Sequence, residues 1–235
     1  MIIAILNYTG TVGKTTLAAH LLAPRMNNAP VYAIESINET ADSLGIDVEK
    51  MKGNKFRELF RKLMTSDDAI IDVGASNIEE FMNSMIKFDD SHEEINYFIV
   101  PVTSGTKEQK ESISMVDALS SIGIPANKIR VIFNRVHSDV SEEFPYITAF
   151  CKKEKSFIAN PKCAIWETEL FDALSVKGIT VDAILNDPTN YKELLKTNRE
   201  ASDKERNQWA DMHGLKALSK SVKRNLDEVY ESLFI

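Results

Sequence analysis

Apolar residues fall along this chain in short unbroken runs, separated by longer segments where they recur every three or four positions. The segments Ile2–Leu6, Val31–Ile34, Ala69–Ile71, Ile95–Val102 and Lys128–Phe133 have strand length and are mainly apolar rather than alternating throughout, as strands buried on both faces require, with polar residues only at Asn96, Lys128 and Arg130. Between them the helical period dominates. Lys50–Met64 carries Phe56, Leu59, Phe60 and Leu63 on one face, and the segment from Ser76 carries Ile78, Phe81, Met82, Met85 and Ile86. Ser76-Asn-Ile-Glu79 and Thr106-Lys-Glu-Gln109 have capping-box form, the second opening a helix that runs to Gly123. Ser141–Lys152 reads as a helix and Ser156–Ala159 as a short strand. Strands alternating with helices predict an α/β fold: a doubly wound, mostly parallel sheet with helices on both faces.

The last third is different. Lys192–Gln208 is polar and dense in both charges. From Trp209 a helical stripe follows, through Met212, Leu215, Leu218, Val222, Leu226, Val229 and Leu233. This predicts a C-terminal helical extension, either docked on the sheet or turned toward a partner. The expectation is a single domain over 1–235, with a sheet core over 1–190 and a helical segment over 191–235.

With 235 residues, 43% of them hydrophobic, the chain can bury one sizeable core. Its formal net charge of −7 excludes an electrostatic nucleic-acid binder as a whole, though not a local basic surface. Cys151 and Cys163 show neither metal spacing nor a disulfide framework, which points to a reducing, cytoplasmic setting. No apolar run approaches the ~18 residues of a membrane span, and the first strand has no basic leader of a signal peptide.

The chemistry concentrates after the first strand, at Thr9-Gly10-Thr11-Val12-Gly13-Lys14-Thr15-Thr16, with Leu17, Ala18, Leu21 and Leu22 following at helical spacing. Strand, glycine loop with Lys-Thr-Thr, and helix make a phosphate-binding loop of the P-loop NTPase kind. Glycines let backbone N–H groups converge on phosphate oxygens, Lys14 is placed to reach the β/γ-phosphates, and the Thr15 hydroxyl to ligate Mg²⁺. The full pattern has Gly where Tyr8 stands, so an ordinary strand-to-helix turn is the competing reading. Other candidates also follow strands, where ligands bind in this architecture. Asp72 ends Ala-Ile-Ile and serves either as a Mg²⁺ ligand or as an acid at the next helix start; Gly74 is a switch hinge or a turn. Asn134, after Val-Ile-Phe, offers a donor and an acceptor to a purine edge or simply forms a turn, and Arg135 stacks on a base or pairs with an acid. His20, His92, His137 and His213 have no ligand-like spacing and read as surface or packing residues.

Together these segments resemble the ParA/MinD-type ATPases, with a deviant Walker A loop at residues 8–16, Ile-Ile-Asp72, Val-Pro101-Val-Thr before a helix, and Phe-Asn134-Arg135 in the family's order. The likeness spans roughly residues 1–160 and is nearest to the StbB-type plasmid stabilisation branch. It implies binding of ATP and Mg²⁺, a nucleotide-dependent homodimer, a role in plasmid stability, partition or positioning, and a plasmid-encoded DNA-binding partner. Two departures stand out. The family's signature lysine, which reaches the partner subunit's phosphates, corresponds to Thr9. The family's water-positioning acid at the second strand end corresponds to Ile37; Glu35 keeps an acid at the preceding place, with Asn38 and Glu39 as stand-ins.

Those departures predict slow or partner-stimulated hydrolysis, because loss of a charge-stabilising cation costs on the order of 10³-fold in phosphoryl transfer. The alternative is a nucleotide-binding interaction protein without turnover. An ATP-dependent small-molecule ligase or kinase is a third reading, with no acceptor-site constellation to support it. For non-specific DNA contact the candidates are Lys192, Lys196, Arg199, Lys204, Arg206, Lys216, Lys220, Lys223 and Arg224, interspersed with Glu193, Glu200, Asp203 and Glu205 as on any solvated helix. The acidic tail Asp227–Ile235 does not suit a membrane-targeting helix.

Overall fold

The computed structural model describes residues 1–27, 29–35, 45–52 and 55–235. Their strands are β1 (Ile2–Ile5), β2 (Val31–Ile34), β3 (Val48–Met51), β4 (Ala69–Val73), β5 (Tyr97–Val102), β6 (Ile129–Val136) and β7 (Ala164–Trp166). They form one sheet of order β3-β2-β4-β1-β5-β6-β7, with every neighbouring pair parallel. β1 lies at the centre, with Ile5 opposite both Asp72 of β4 and Ile99 of β5.

Successive side chains of β1 enter different cores, as strand geometry demands. Ile2, Ala4 and Leu6 meet the layer of helices α2 (Phe56–Leu63), α3 (Ile78–Lys87) and α4 (Thr106–Ser121), together with α5 (Val140–Glu143) and α6 (Pro145–Glu154). Ile3 and Ile5 meet the other layer, formed by α1 (Lys14–Leu17) with its continuation and by α10 (Asp203–Leu233). Helices α7 (Leu170–Lys177), α8 (Val181–Asn186) and α9 (Tyr191–Thr197) precede α10, and the first two pack on its Leu215.

α10 opens with a reciprocal capping box between Ser202 and Glu205 and runs for 31 residues. Its second half buries Leu226, Val229 and Leu233 against the sheet, which decides for the docked reading of the C-terminal stripe. Arg25 clamps it from the side, donating from Nε (3.0 Å) and Nη2 (2.5 Å) to Asp227.

Several local expectations need correction. Lys50 and Met51 belong to β3, paired with Ala33 and Ile34, so α2 starts only at Phe56. Neither capping box over 76–79 or 106–109 provides the helix cap: the caps are Asn77 and Gly105, without side-chain cap bonds. Gln109 instead donates to the carbonyls of Ser104 (2.7 Å) and Glu143 (3.0 Å) and accepts from Tyr146 N (3.1 Å). The helix expected over 141–152 is broken ahead of Pro145, whose ring cannot continue it. Of the strand expected at 156–159 only an Ile158–Arg130 bridge forms; the true last strand is Ala164–Trp166.

The helix after the glycine loop is also irregular. α1 passes into a π-helical stretch, Ala18–Leu22, and then a 3₁₀ turn, Ala23–Arg25, at Pro24. Such wide turns are frequent at functional sites. His20 lies inside this stretch, 1% exposed, with Nδ1 accepting from Val181 N at 3.3 Å and its ring tilted on Phe171 at 5.1 Å. Burial holds its pKa down at about 4. The folded state therefore takes up this proton only below about pH 4, whereas the unfolded chain takes it up near 6.5. The associated stability is complete above pH 6.5 and falls as the pH drops toward 4. Urea unfolding at pH 7.5 and 4.5 checks this: His20→Gln should lose roughly 2–3 kcal/mol less than the parent over that range. Equal losses would show that His20 titrates normally.

Candidate nucleotide site

The loop between β1 and α1 is fixed from three sides. At its start Asn7 is fully buried, and its Nδ2 donates to Pro101 O (2.7 Å) and Ser112 Oγ (2.7 Å) while its Oδ1 accepts from Thr9 N (3.0 Å). Thr9 is itself buried, and its hydroxyl donates to Glu111 of α4. At the far end Gly13 has φ +86°, a conformation that L side chains rarely adopt, and it forms the N-cap of α1. In the middle the Val12 carbonyl accepts from Asn134 Nδ2 at 2.8 Å. A Cβ on Gly13 would stand 2.6 Å from that same Asn134 nitrogen. Glycine is thus required at position 13 by both backbone and space.

Within this curl lies Lys14, only 5% exposed, donating to the carbonyls of Thr9 (2.8 Å) and Asn7 (3.2 Å). A buried ammonium needs anionic or carbonyl partners, and here the loop supplies them. Gly10 and Thr11 are exposed at the crest, and Thr15 and Thr16 are half-buried in the first turn. Asp72 is 2% exposed at the end of β4, in register with Ile5 of β1 and Ala33 of β2. Glu35 follows β2 on the same carboxyl edge, half-buried, its N–H bonded to Met51 O at 3.0 Å. Gly74 donates to Ile34 O at 2.9 Å with an ordinary φ of −58°. Asn38, Ile37 and Glu39 lie outside the described residues.

Asn134 and Arg135 face different ways. Asn134 is buried against the loop, while Arg135 is exposed at a register break of β6, with φ +57°. A small cavity of about 80 Å³ opens beside them, lined by Gly13, Thr16, Asn134, Arg135 and, from the end of β7 and α7, Trp166, Glu167, Thr168, Phe171 and Asp172. These β7–α7 residues escaped the sequence reading because a three-residue strand has no legible period. Asn7 and Glu111 escaped because their roles depend on contacts about a hundred residues apart in sequence. Of the cations proposed for DNA, Arg206 is bonded to the carbonyls of Leu195 and Asn198, Lys216 to that of Asp187, and Lys223 to Asp227.

A glycine loop, a lysine beneath it, two threonines and a helix start thus lie at a parallel sheet's carboxyl edge, with the buried Asp72 at the end of the neighbouring strand, where ligands bind in this architecture. The fold is that of the ParA/MinD-type P-loop ATPases. The chain is similar to the Pyrococcus furiosus cell division ATPase MinD, with 13% identity, 99% of each chain covered and a TM-score of 0.57. It is similar to MinD in the MinC:MinD cell division complex of Aquifex aeolicus (13% identity, 79% of this chain and 88% of that one, TM-score 0.56). It also resembles the septum site-determining protein MinD of Pyrococcus horikoshii, solved with Mg-ADP (17% identity, 80% and 89% covered, TM-score 0.50). No family model matches the sequence, and neither does any curated protein.

The Gly13–Asn134 contact yields a double-mutant prediction. Gly13→Ala should destabilise by about 1–3 kcal/mol, through left-handed strain and the collision with Asn134. Asn134→Ala should cost about 1–3 kcal/mol by stranding the Val12 carbonyl. Because the second change removes the first one's collision, the double variant should be less destabilised than the sum, by more than about 0.5 kcal/mol. Strict additivity in thermal or urea unfolding would contradict this contact.

Proposed function

We propose that this protein is a Mg·ATP-binding switch ATPase of the ParA kind, acting in plasmid stability, partition or positioning. The observation that carries the reading is the loop itself: Lys14 is buried beneath a glycine crest at the carboxyl edge of β1, beside the helix start that bears Thr15 and Thr16. Those residues fit a magnesium-bound triphosphate. On binding, the Lys14 ammonium exchanges the Thr9 and Asn7 carbonyls for phosphate oxygens, and the N–H groups from Gly10 to Thr16 close around them. Thr15 and Asp72 would hold Mg²⁺, which supplies charge neutralisation of the β- and γ-phosphates. Asn134 keeps one amide proton on Val12 and has an acceptor and a second proton left for a purine edge, with Arg135 at the rim.

Hydrolysis is expected to be slow. Glu35 is the acid this reading assigns to the second strand's end, with Asn38 as the other candidate for orienting water. The place of a cross-subunit cation is held by Thr9, whose hydroxyl is committed to a carboxylate, Glu111. That same contact favours the second reading, a nucleotide-dependent interaction protein without turnover. The Mg-ADP bound to the Pyrococcus horikoshii neighbour supports the cofactor assignment, and the MinC partner of the Aquifex neighbour supports a switch that works through another protein. A nucleotide-dependent homodimer, a plasmid-encoded DNA-binding partner and weak DNA contact through exposed residues such as Lys192, Lys196 and Lys220 complete the proposal. Burial of α10 against both the sheet and α7–α8 supports a single domain over 1–235. Among the described residues no helix is long and apolar enough to cross a membrane.

Fluorescent ATP titrated with magnesium tests the reading. The parent should bind, and Lys14→Ala should weaken binding at least tenfold, the loss of a charged hydrogen bond of about 1.5–3 kcal/mol. Turnover of the purified protein should stay below about one per minute, extending the intrinsic rates of switch NTPases. Absence of magnesium-dependent uptake would remove the ATPase reading, and fast unstimulated hydrolysis would remove the argument from Thr9.

A further inference from the structure

The C-terminal end of α3 is flanked by two grooves of opposite charge. On one side a groove of about 770 Å³ is floored by Phe60, Met64 and Phe88 and rimmed by Lys55, Arg57, Glu58 and Arg61. Lys55 and Glu58 neutralise each other at 3.3 Å, while Arg57 and Arg61 have no carboxylate within 4.0 Å among the described residues. On the other side a groove of about 430 Å³ is lined by Met85, Ile86, Ile122, Ser121 and His92 together with Asp89 and Asp90, the two aspartates without an ion-pair partner among the described residues. Phe88 belongs to the first groove, packed on Phe60 at 6.1 Å, and its neighbour Asp89 to the second, so the two meet at the helix end. Each side also displays a large apolar side chain: Met64 is 56% exposed and Ile86 54%.

We propose that this α2–α3–α4 face is a self-association surface, on which a second copy of the chain sits across a two-fold axis through the end of α3. A patch with a positive half, a negative half and apolar residues in each is complementary to itself after a half-turn: Arg57 and Arg61 of each copy meet Asp89 and Asp90 of the other, and the contact is made twice. Charge selects this occupant. The chain as a whole is acidic, with a formal charge of −7, yet among the described residues Arg57 and Arg61 on one side of α3, and Asp89 and Asp90 on the other, have no ion-pair partner within 4.0 Å. A nucleic acid or an anionic membrane drawn to the arginines would be repelled by the aspartates next to them. Burial of Met64, Ile86 and the groove floors supplies the attraction; exposed ion pairs contribute little each and serve to fix the register. The pairing uses no residue of the phosphate loop, so it is a second contact, separate from the nucleotide-dependent homodimer proposed above, and it forms without nucleotide.

Sedimentation velocity of the nucleotide-free full chain, over a concentration series at low and high salt, tests this. The parent should show a monomer–dimer equilibrium that weakens several-fold as salt screens the rim charges. R57E/R61E carries acid on both halves and D89K/D90K base on both, so each alone should lose at least tenfold in dimer affinity. Mixed together at equal concentration they should form a heterodimer, since both contacts then pair opposite signs. Ile86→Ser in the parent background should weaken the dimer without changing its salt dependence. Far-UV circular dichroism and thermal melts establish that each variant is folded. A parent that stays monomeric throughout would overturn the proposal and leave the face to a different protein. So would a dimer that all three variants leave intact, or charge variants that fail to pair when mixed.

Discussion

The left-handed turn at Gly13, held open against Asn134, is the constraint on which the rest of the structure depends. Because that residue has φ +86° and no Cβ, the chain can curl back over Lys14 and still deliver Thr15 and Thr16 into the first turn of α1. Asn134 reaches across from β6 to hold the crest at the Val12 carbonyl, and Asn7 holds the loop's beginning to β5 and α4. The loop is thus tied to β5 and β6. Its conformation is a property of the whole α/β layer, not of seven residues.

The central sheet was legible in the residues because strands covered on both faces must be apolar at every position. Ile2–Ile5, Val31–Ile34 and Ala69–Val73 are buried throughout, and continuous runs announced them. The edges were not legible for the same reason. β3 has two exposed positions in four, Glu49 and Lys50, and its charged residues read as the start of a helix. β7 has three residues and no period, so the Trp166–Asp172 wall of the small cavity beside the loop went unseen. Capping boxes misled because a side chain of the right type at the right spacing can have a better partner: Gln109 is used to join α4 to the α5–α6 turn.

For the site, residue types and spacing named Lys14, Thr15 and Asp72, and the fold brings the end of β4, which bears Asp72, beside the end of β1, whose loop leads to Lys14 and Thr15 at the start of α1. What spacing could not convey was which polar groups already have employment inside the protein. Thr9 is bonded to Glu111, Asn134 to Val12, and three of the C-terminal cations to carbonyls or carboxylates of their own chain. His20 is the reverse case. A histidine with no motif around it proves to be a packing residue at the junction of the α1 continuation, α7 and α8, next to the cavity wall at Phe171.

The account stands or falls on where the Lys14 ammonium goes when a triphosphate arrives. A crystal structure of the protein grown with magnesium and a non-hydrolysable ATP analogue shows this directly. The account predicts the Lys14 amine on phosphate oxygens and released from the Thr9 and Asn7 carbonyls, with Thr15 and Asp72 around the metal. An analogue seated elsewhere, with Lys14 still bonded to Thr9 and Asn7, would contradict it.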